Sequence, residues 1–313
     1  MNSCSHFATR GNTVSNVMVI PPIRGALVKS EDMLGPWRVW HAVNEIQSRF
    51  LADSSIQREE LAHFSEKELR AWAAWTASEL NAVLAKEGFS IRLNDFGCRE
   101  LGVVSILDVL VDWIVEALAA TFLVDQHEYS AVYMMPHVKT DQETVRTFSA
   151  STSSLHNHPI VAIATKSGDV LSMTIADCPY ADFDLVSRIE AVRLAKRSAR
   201  HASWLRFPMV DLNLETDISW LIGMRTVTAS GEEAMISQAL QQTKFKMNQF
   251  GARVKSAVAI VMRTISARVE VGYPIIIDKP FFLWIERPGM SSPLMYAYID
   301  EQDWKDPGDL ANM

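Results

Sequence analysis

From about residue 128 onward the chain is cut into short runs of branched and aromatic residues bounded by Gly, Pro, Asp or Ser: YSAVYMM, PIVAIAT, DVLSMTIA, WLRFPMVDLNL, TKFKMN, YPIII, PFFLWIE and PLMYAYI. Runs of this length and makeup predict strands, because such side chains fit a pleated, half-buried surface and the turn formers between them reverse the chain. The first half reads differently. Ser65 and Glu68 have the spacing of a capping box, and Leu69, Trp72, Ala73, Thr76, Leu80, Val83 and Leu84 follow a helical stripe that Gly88 would stop. A second helix is expected over VVSILDVLVDWIVEALAA, residues 103–120, with Asp108, Asp112 and Glu116 along one exposed face. Helices mainly in the N-terminal half and strands mainly in the C-terminal half, without regular alternation, predict an α+β fold with mixed or antiparallel sheets rather than a βαβ protein. No Pro/Gly/Ser-rich linker and no internal repeat divides the chain, so one domain over residues 1–313 is expected, with residues 1–15 as a flexible N-terminus.

With 313 residues, 48% of them hydrophobic, the chain can bury a large core. A charged fraction of 21% and a mean hydropathy of +0.03 exclude global disorder. The net charge of −7 argues against a general nucleic-acid binder. Cys4, Cys98 and Cys178 lie far apart and have neither the number nor the spacing of a disulfide framework or zinc site. The start, MNSCSHFATRGNTVSNVMVIPP, lacks a basic segment followed by an apolar run, so no standard signal peptide is visible. The longest apolar stretch, near residues 101–124, is interrupted by Asp108, Asp112 and Glu116, unlike a membrane span. A soluble protein without nucleic-acid or membrane partners is expected, in either an extracellular or a cytoplasmic setting.

No constellation points to catalysis. The chain has no Gly-x-Ser-x-Gly, phosphate-binding glycine loop, His-Glu-x-x-His or Cys-x-x-Cys, so it is read as neither an enzyme nor a cofactor protein. The acidic row of Asp108, Asp112 and Glu116 has no histidine or further carboxylate to complete a metal shell. His156 and His158 share one side of an extended segment, but no carboxylate or cysteine stands close in sequence, and a plain loop is the reading.

Several motifs occur in a recognisable order. IDKPFFLWIERPGMSSPLMYAYIDEQDWKDP, residues 277–307, places Pro280-Phe281 before a strand, Pro288-Gly289 at a turn, a second strand at 294–299 and a closing Pro. Upstream, ISQALQQTKFKMNQFGARVKSAVA carries a strand into a glycine, Gly251. LRFPMVDLNLETDISWLIGM sets Pro208, Asp217, Gly223 and Met224 in series, and SGDVLSMTIADCP, Met134-Met135 and NVMVIPPIRGAL precede it. Together these resemble, from residue 16 to 307, a divergent and shortened serpin. The resemblance implies a serpin-like α+β fold with an exposed reactive-centre loop, and a monomeric inhibitor whose partner is a serine protease. Gly251, Ala252, Val254, Ser256 and Val258 would form the hinge of that loop, and Arg263, Thr264, Ile265, Ser266 and Arg268 the scissile region. The family's offset from Gly251 puts the bond near Ile265-Ser266, with Arg263-Thr264 and Arg268-Val269 as alternatives for a trypsin-like protease. Arg193, Lys196, Arg197 and Arg200, in RLAKRSARH, fall where some serpins bind a polyanion, against the simpler reading of a solvated helix end.

Some positions depart from the family. Ile20 and Ile23 stand where it has serines, Gln241 where it has histidine, and Gln249-Phe250 where it has an acidic pair. The Asn-x-x-x-Phe-Lys-Gly-x-Trp strand, which would flank the site of loop insertion, has no clear counterpart. These departures point to the alternative of a non-inhibitory serpin-fold binding protein. GARVKSAVAIV, residues 251–261, bears on the choice. Extended, it puts Ala252, Val254, Ser256, Val258 and Ile260 on one side and Arg253 and Lys255 on the other. A strand already paired, an amphipathic helix and a loop held out ready to become a strand all fit this pattern.

Overall fold

The computed structural model describes residues 14–53, 58–97, 100–114, 117–135, 144–150, 155–198, 202–253 and 273–310. The chain divides into two compact units: one holds the residues up to Met18, Val109–Leu212 and those from Lys244 onward, and the other holds Val19–Asp108 and Asn213–Thr243.

The first unit is built on a seven-stranded antiparallel sheet. Its order is Asn16–Met18, Met295–Ile299, Phe281–Glu286, Val170–Ile175, Ile160–Ala164, Val145–Ala150, Lys196–Ser198. The two strands FFLWIE and MYAYI are apolar at nearly every position, and the structure buries both of their faces. Toward the edge, Val145–Ala150 alternates instead, with Val145 and Thr147 buried and Arg146 exposed. Helix Asp182–Leu194 covers the other end, packing on Asn16–Met18 and Met295–Ile299 through a stripe that includes Phe183, Val186, Ile189 and Val192. Ser15, inside the segment expected to be a flexible terminus, is buried and accepts the Asp300 N–H at 2.8 Å. A four-stranded sheet in the same unit runs Tyr273–Ile276, Ala202–Pro208, His127–Met134, Leu118–Val124, with its first pair parallel.

In the second unit, Pro21 and Pro22 open helix Ile20–Leu34, where their missing N–H groups cost nothing. This helix packs against the paired strands Leu69–Ala74 and Gly102–Leu107. Helix Ala77–Lys86 meets the same pair, setting Leu80 and Leu84 against Ala74, Val104 and Ile106.

Two expected helices are corrected here. Ser65 and Glu68 do make their reciprocal bonds: the Ser65 N–H and Oγ–H donate to Glu68 Oε2, both at 2.9 Å, and the Glu68 N–H donates to Ser65 Oγ at 3.3 Å. They close a turn, after which Leu69–Ala74 is extended and the helix begins only at Ala77. The described part of 103–120 forms three strands, Gly102–Leu107, Leu110–Asp112 and Leu118–Val124, so Asp108 and Asp112 lie on no helix, and Glu116 lies outside the described residues. Apolar residues fill almost every position there and satisfy a period of two as well as one of 3.6. The many β-branched residues, Val103, Val104, Ile106, Val109 and Val111 among them, favour the strand. Among the described residues, no helix is long and apolar enough to cross a membrane, and no group of His, Cys, Asp and Glu is arranged to hold a metal ion.

The His156-x-His158 loop has a structural role. His156 is buried, and its Nε2 lies 2.7 Å from Thr174 Oγ1, which itself donates to the Pro159 carbonyl at 2.9 Å. Nε2 therefore carries the ring proton and donates, while Nδ1 stays bare and without a partner. Burial, then Arg188 and His158, push its pKa down to about 4, against a smaller opposing pull from Asp177. The unfolded chain binds this proton near pH 6.5 and the folded chain only near 4, so the stabilisation is complete above 6.5 and lost as pH falls from 6.5 through 4. Equilibrium unfolding of wild type and His156→Gln should show a steeper loss for wild type in that window. In the second unit, Arg24 and Glu60 form a buried ion pair at 2.6 Å. Glu60→Ala should cost roughly 3–5 kcal/mol in chemical unfolding, because Arg24 would be left charged and buried, and adding Arg24→Met should recover most of it.

Candidate functional site

The stretch singled out in the sequence begins inside a sheet. Gly251–Arg253 forms the third strand in the order Val210–Thr216, Gln241–Asn248, Gly251–Arg253, Leu110–Asp112. Ala252 lies opposite Met247 on one side and Val111 on the other, both antiparallel. Ala252 and Met247 are both buried, so the even positions of the loop strand and the odd positions of Gln241–Asn248 share the core face. Of the alternatives the pattern left open, Gly251 and Ala252 take that of a strand already paired, with partners on both flanks in the intact chain. Val254, Ser256 and Val258, and the whole scissile region of Arg263, Thr264, Ile265, Ser266 and Arg268, lie outside the described residues.

The strand begins at Gly251 for a steric reason. A Cβ there would lie 2.3 Å from the Val111 carbonyl oxygen and 3.2 Å from Asp112 Cα, so no other residue fits without displacing the backbone. The preceding turn, Gln249-Phe250, is fixed by polar contacts from three sides. Asn248 Oδ1 accepts the Phe250 N–H at 2.9 Å, in the manner of an Asx turn. The Trp113 N–H donates to the Phe250 carbonyl at 3.3 Å, and Trp113 Nε1–H to the Asn248 carbonyl at 3.0 Å. Asn248 Nδ2 donates to the Gly308 carbonyl at 2.9 Å, and Lys246 Nζ to the Pro307 carbonyl at 3.2 Å. Sequence reasoning missed Asn248 and Trp113 as parts of this site. Trp113 was placed on the expected helix, and that error also hid the flanking strand Leu110–Asp112.

The substituted positions are internally consistent. Ile20 and Ile23 are buried on helix Ile20–Leu34. Gln241 satisfies both halves of its amide on Val19, donating from Nε2 to the carbonyl at 2.9 Å and accepting the N–H on Oε1 at 3.4 Å. Gln241 thus bonds backbone rather than side chains. The basic group is less of a helix end than expected. The helix stops at Leu194, and Lys196–Ser198 is an edge strand paired with Val145–Ala150. Arg193 is ion-paired with Glu190 and Glu286, Lys196 with Glu286, and Arg197 is exposed. Arg200 lies outside the described residues.

No protein-family model and no curated protein sequence matches the chain. Solved structures do. Serpin48 of the insect Tenebrio molitor aligns at a TM-score of 0.59 with 11% identity, over 92% of each chain. A serpin of Anopheles gambiae, SRPN18, aligns at 0.54 with 12% identity, over 94% of this chain and 93% of its own. Human thyroxine-binding globulin aligns at 0.51 with 12% identity, over 91% of each. Identities this low speak to architecture alone, and the coverage spans nearly every element in order: the chain is a serpin-fold protein.

Proposed function

We propose that the chain is a serpin-type inhibitor that offers residues 254–272 as bait to a serine protease. The observation that carries this reading is the position of Gly251–Arg253 between Gln241–Asn248 and Leu110–Asp112. A strand leading from the loop is already admitted to the sheet, and its register dictates where the next residues would pair. Continued, the pairing of Met247 with Ala252 brings Val254 opposite Phe245, Ser256 opposite Thr243 and Val258 opposite Gln241. Phe245, Thr243 and Gln241 are all buried, so the small and apolar side chains would arrive on the core face and Lys255 on the other. Each branched residue so buried contributes on the order of 1–3 kcal/mol, and each new backbone hydrogen bond roughly 0.5–1.5 kcal/mol. Cleavage of the bait would free the segment to complete this strand, and the energy released would trap the protease before deacylation.

A second reading, a non-inhibitory binding protein, is favoured by the same strand seen from the other side. Three residues are paired before any cleavage, so that part of the insertion energy is already spent. Thyroxine-binding globulin, solved with its ligand, has the same fold.

Incubation with trypsin-, chymotrypsin- and elastase-like proteases separates the two. Inhibition predicts a covalent complex that survives denaturing electrophoresis, and N-terminal sequencing of the released peptide would choose among Ile265-Ser266, Arg263-Thr264 and Arg268-Val269. Clean cleavage within 254–272, without complex and without a gain in thermal midpoint, would overturn it. Gly251→Val should be destabilised by about 1–3 kcal/mol through the clash with Val111 and Asp112. Its loop should also be cut faster under limited proteolysis, because Ala252 and Arg253 can no longer stay seated.

A further inference from the structure

The four-stranded sheet of the first unit ends in the edge strand Leu118–Val124, with the sequence LAATFLV. Other edges in this unit carry a defence against pairing. The opposite edge, Tyr273–Ile276, contains Pro274, and Lys196–Ser198, at the rim of the seven-stranded sheet, is three residues long with two cations. LAATFLV has seven residues and no charge, Pro or Gly. Leu118 and Leu123 are 62% and 73% exposed, and Ala119 and Thr121 are exposed as well.

The hairpin fixes which backbone groups face outward. Leu118–Val124 pairs with His127–Met134 through the two-residue turn Asp125-Gln126, where both φ angles are positive, at 45° and 68°, as a type I′ turn requires. Val124 and His127 then exchange both bonds, and alternation directs the N–H and C=O of Ala119, Thr121 and Leu123 away from His127–Met134. Ser130, opposite Thr121, accordingly gives its carbonyl to the Met209 N–H on its other side, at 2.9 Å. Among the described residues one of these six outward groups has a partner. The Thr121 carbonyl accepts Arg206 Nη1–H at 3.5 Å, which leaves its second lone pair open.

We propose that this edge pairs with the same edge of a second copy of the chain, antiparallel about a two-fold axis at Thr121. The sequence is self-complementary in that register. Ala119 comes opposite Leu123, Ala120 opposite Phe122, Leu118 opposite Val124 and Thr121 opposite itself, so large side chains meet small ones and no charge meets a charge. Every outward N–H of one copy finds an outward C=O of the other. The contact is isologous and closes at two copies, because each chain spends its one such edge. It is also small. An edge about 23 Å long and about 10 Å thick falls well short of the roughly 800 Å² per partner of a stable interface. The chain is therefore a monomer when dilute and pairs at micromolar concentrations and above. This pairing is independent of whether the loop traps a protease.

Sedimentation velocity of the full chain from about 1 to 300 μM tests it. The 35.1 kDa species should give way to one of twice that mass as concentration rises. Because position 121 faces its own copy, Thr121→Lys alone and Thr121→Glu alone should each weaken pairing at least severalfold through like charges set directly opposite. An equimolar mixture of the two variants should recover it as a heterodimer, which also shows that both are folded. A wild-type chain that stays at 35.1 kDa throughout overturns the proposal without any variant. A dimer that Thr121→Lys leaves untouched, or a mixture no more associated than its components, overturns the two-fold placement.

Discussion

The sheet around Gly251 depends on a single close approach. Where the chain turns back after Asn248, its backbone comes so near Val111 that a methyl group could not be inserted. That approach lets Gly251–Arg253 pair on both sides, and it places Ala252 against the core face. The polar groups around the turn reinforce it. Asn248 connects the turn, the indole of Trp113 and the segment at Gly308 through both ends of its buried amide and its carbonyl. In a low-dielectric setting, leaving any of these groups unpaired would cost about as much as a small apolar side chain gains by burial.

Much of the architecture was legible because its strongest signals are local. FFLWIE and MYAYI could hardly be anything but interior strands, and Pro21-Pro22 marks the start of a helix. The order of motifs extended this to the whole fold. What failed was arbitration between periods in apolar-rich segments. In Leu69–Ala74 and in Gly102–Leu107 the side chains suit a helix face and a strand equally, and the deciding contact is the mutual pairing of two segments some thirty residues apart. Ser65-Glu68 adds a second lesson: the reciprocal bonds of a capping box form perfectly well around an isolated turn. At the site, Gly251 and the alternation beyond it were readable, but its flank was not. Leu110–Asp112 is three residues long, and its identity as a strand comes only from the partner that pairs with it.

Around Val19 the buried side chains are mostly apolar, and the amide of Gln241 is satisfied. Ile20 and Ile23 add buried apolar surface to helix Ile20–Leu34, and that amide bonds the backbone of Val19, which cannot be mutated away.

The pairing of Asn16–Met18 with Met295–Ile299 has a kinetic consequence. The bond between Ser15 and Asp300 joins groups 285 positions apart. At a synthesis rate of roughly 5–20 residues per second, the earliest strand waits on the order of a quarter of a minute to a minute for its neighbour. Two interior strands of the seven-stranded sheet, Phe281–Glu286 and Met295–Ile299, emerge from the ribosome after almost everything they join. Until then Val170–Ile175 lacks its neighbour Phe281–Glu286 along one edge, and an unpaired strand edge is the condition under which chains recruit chaperones or one another.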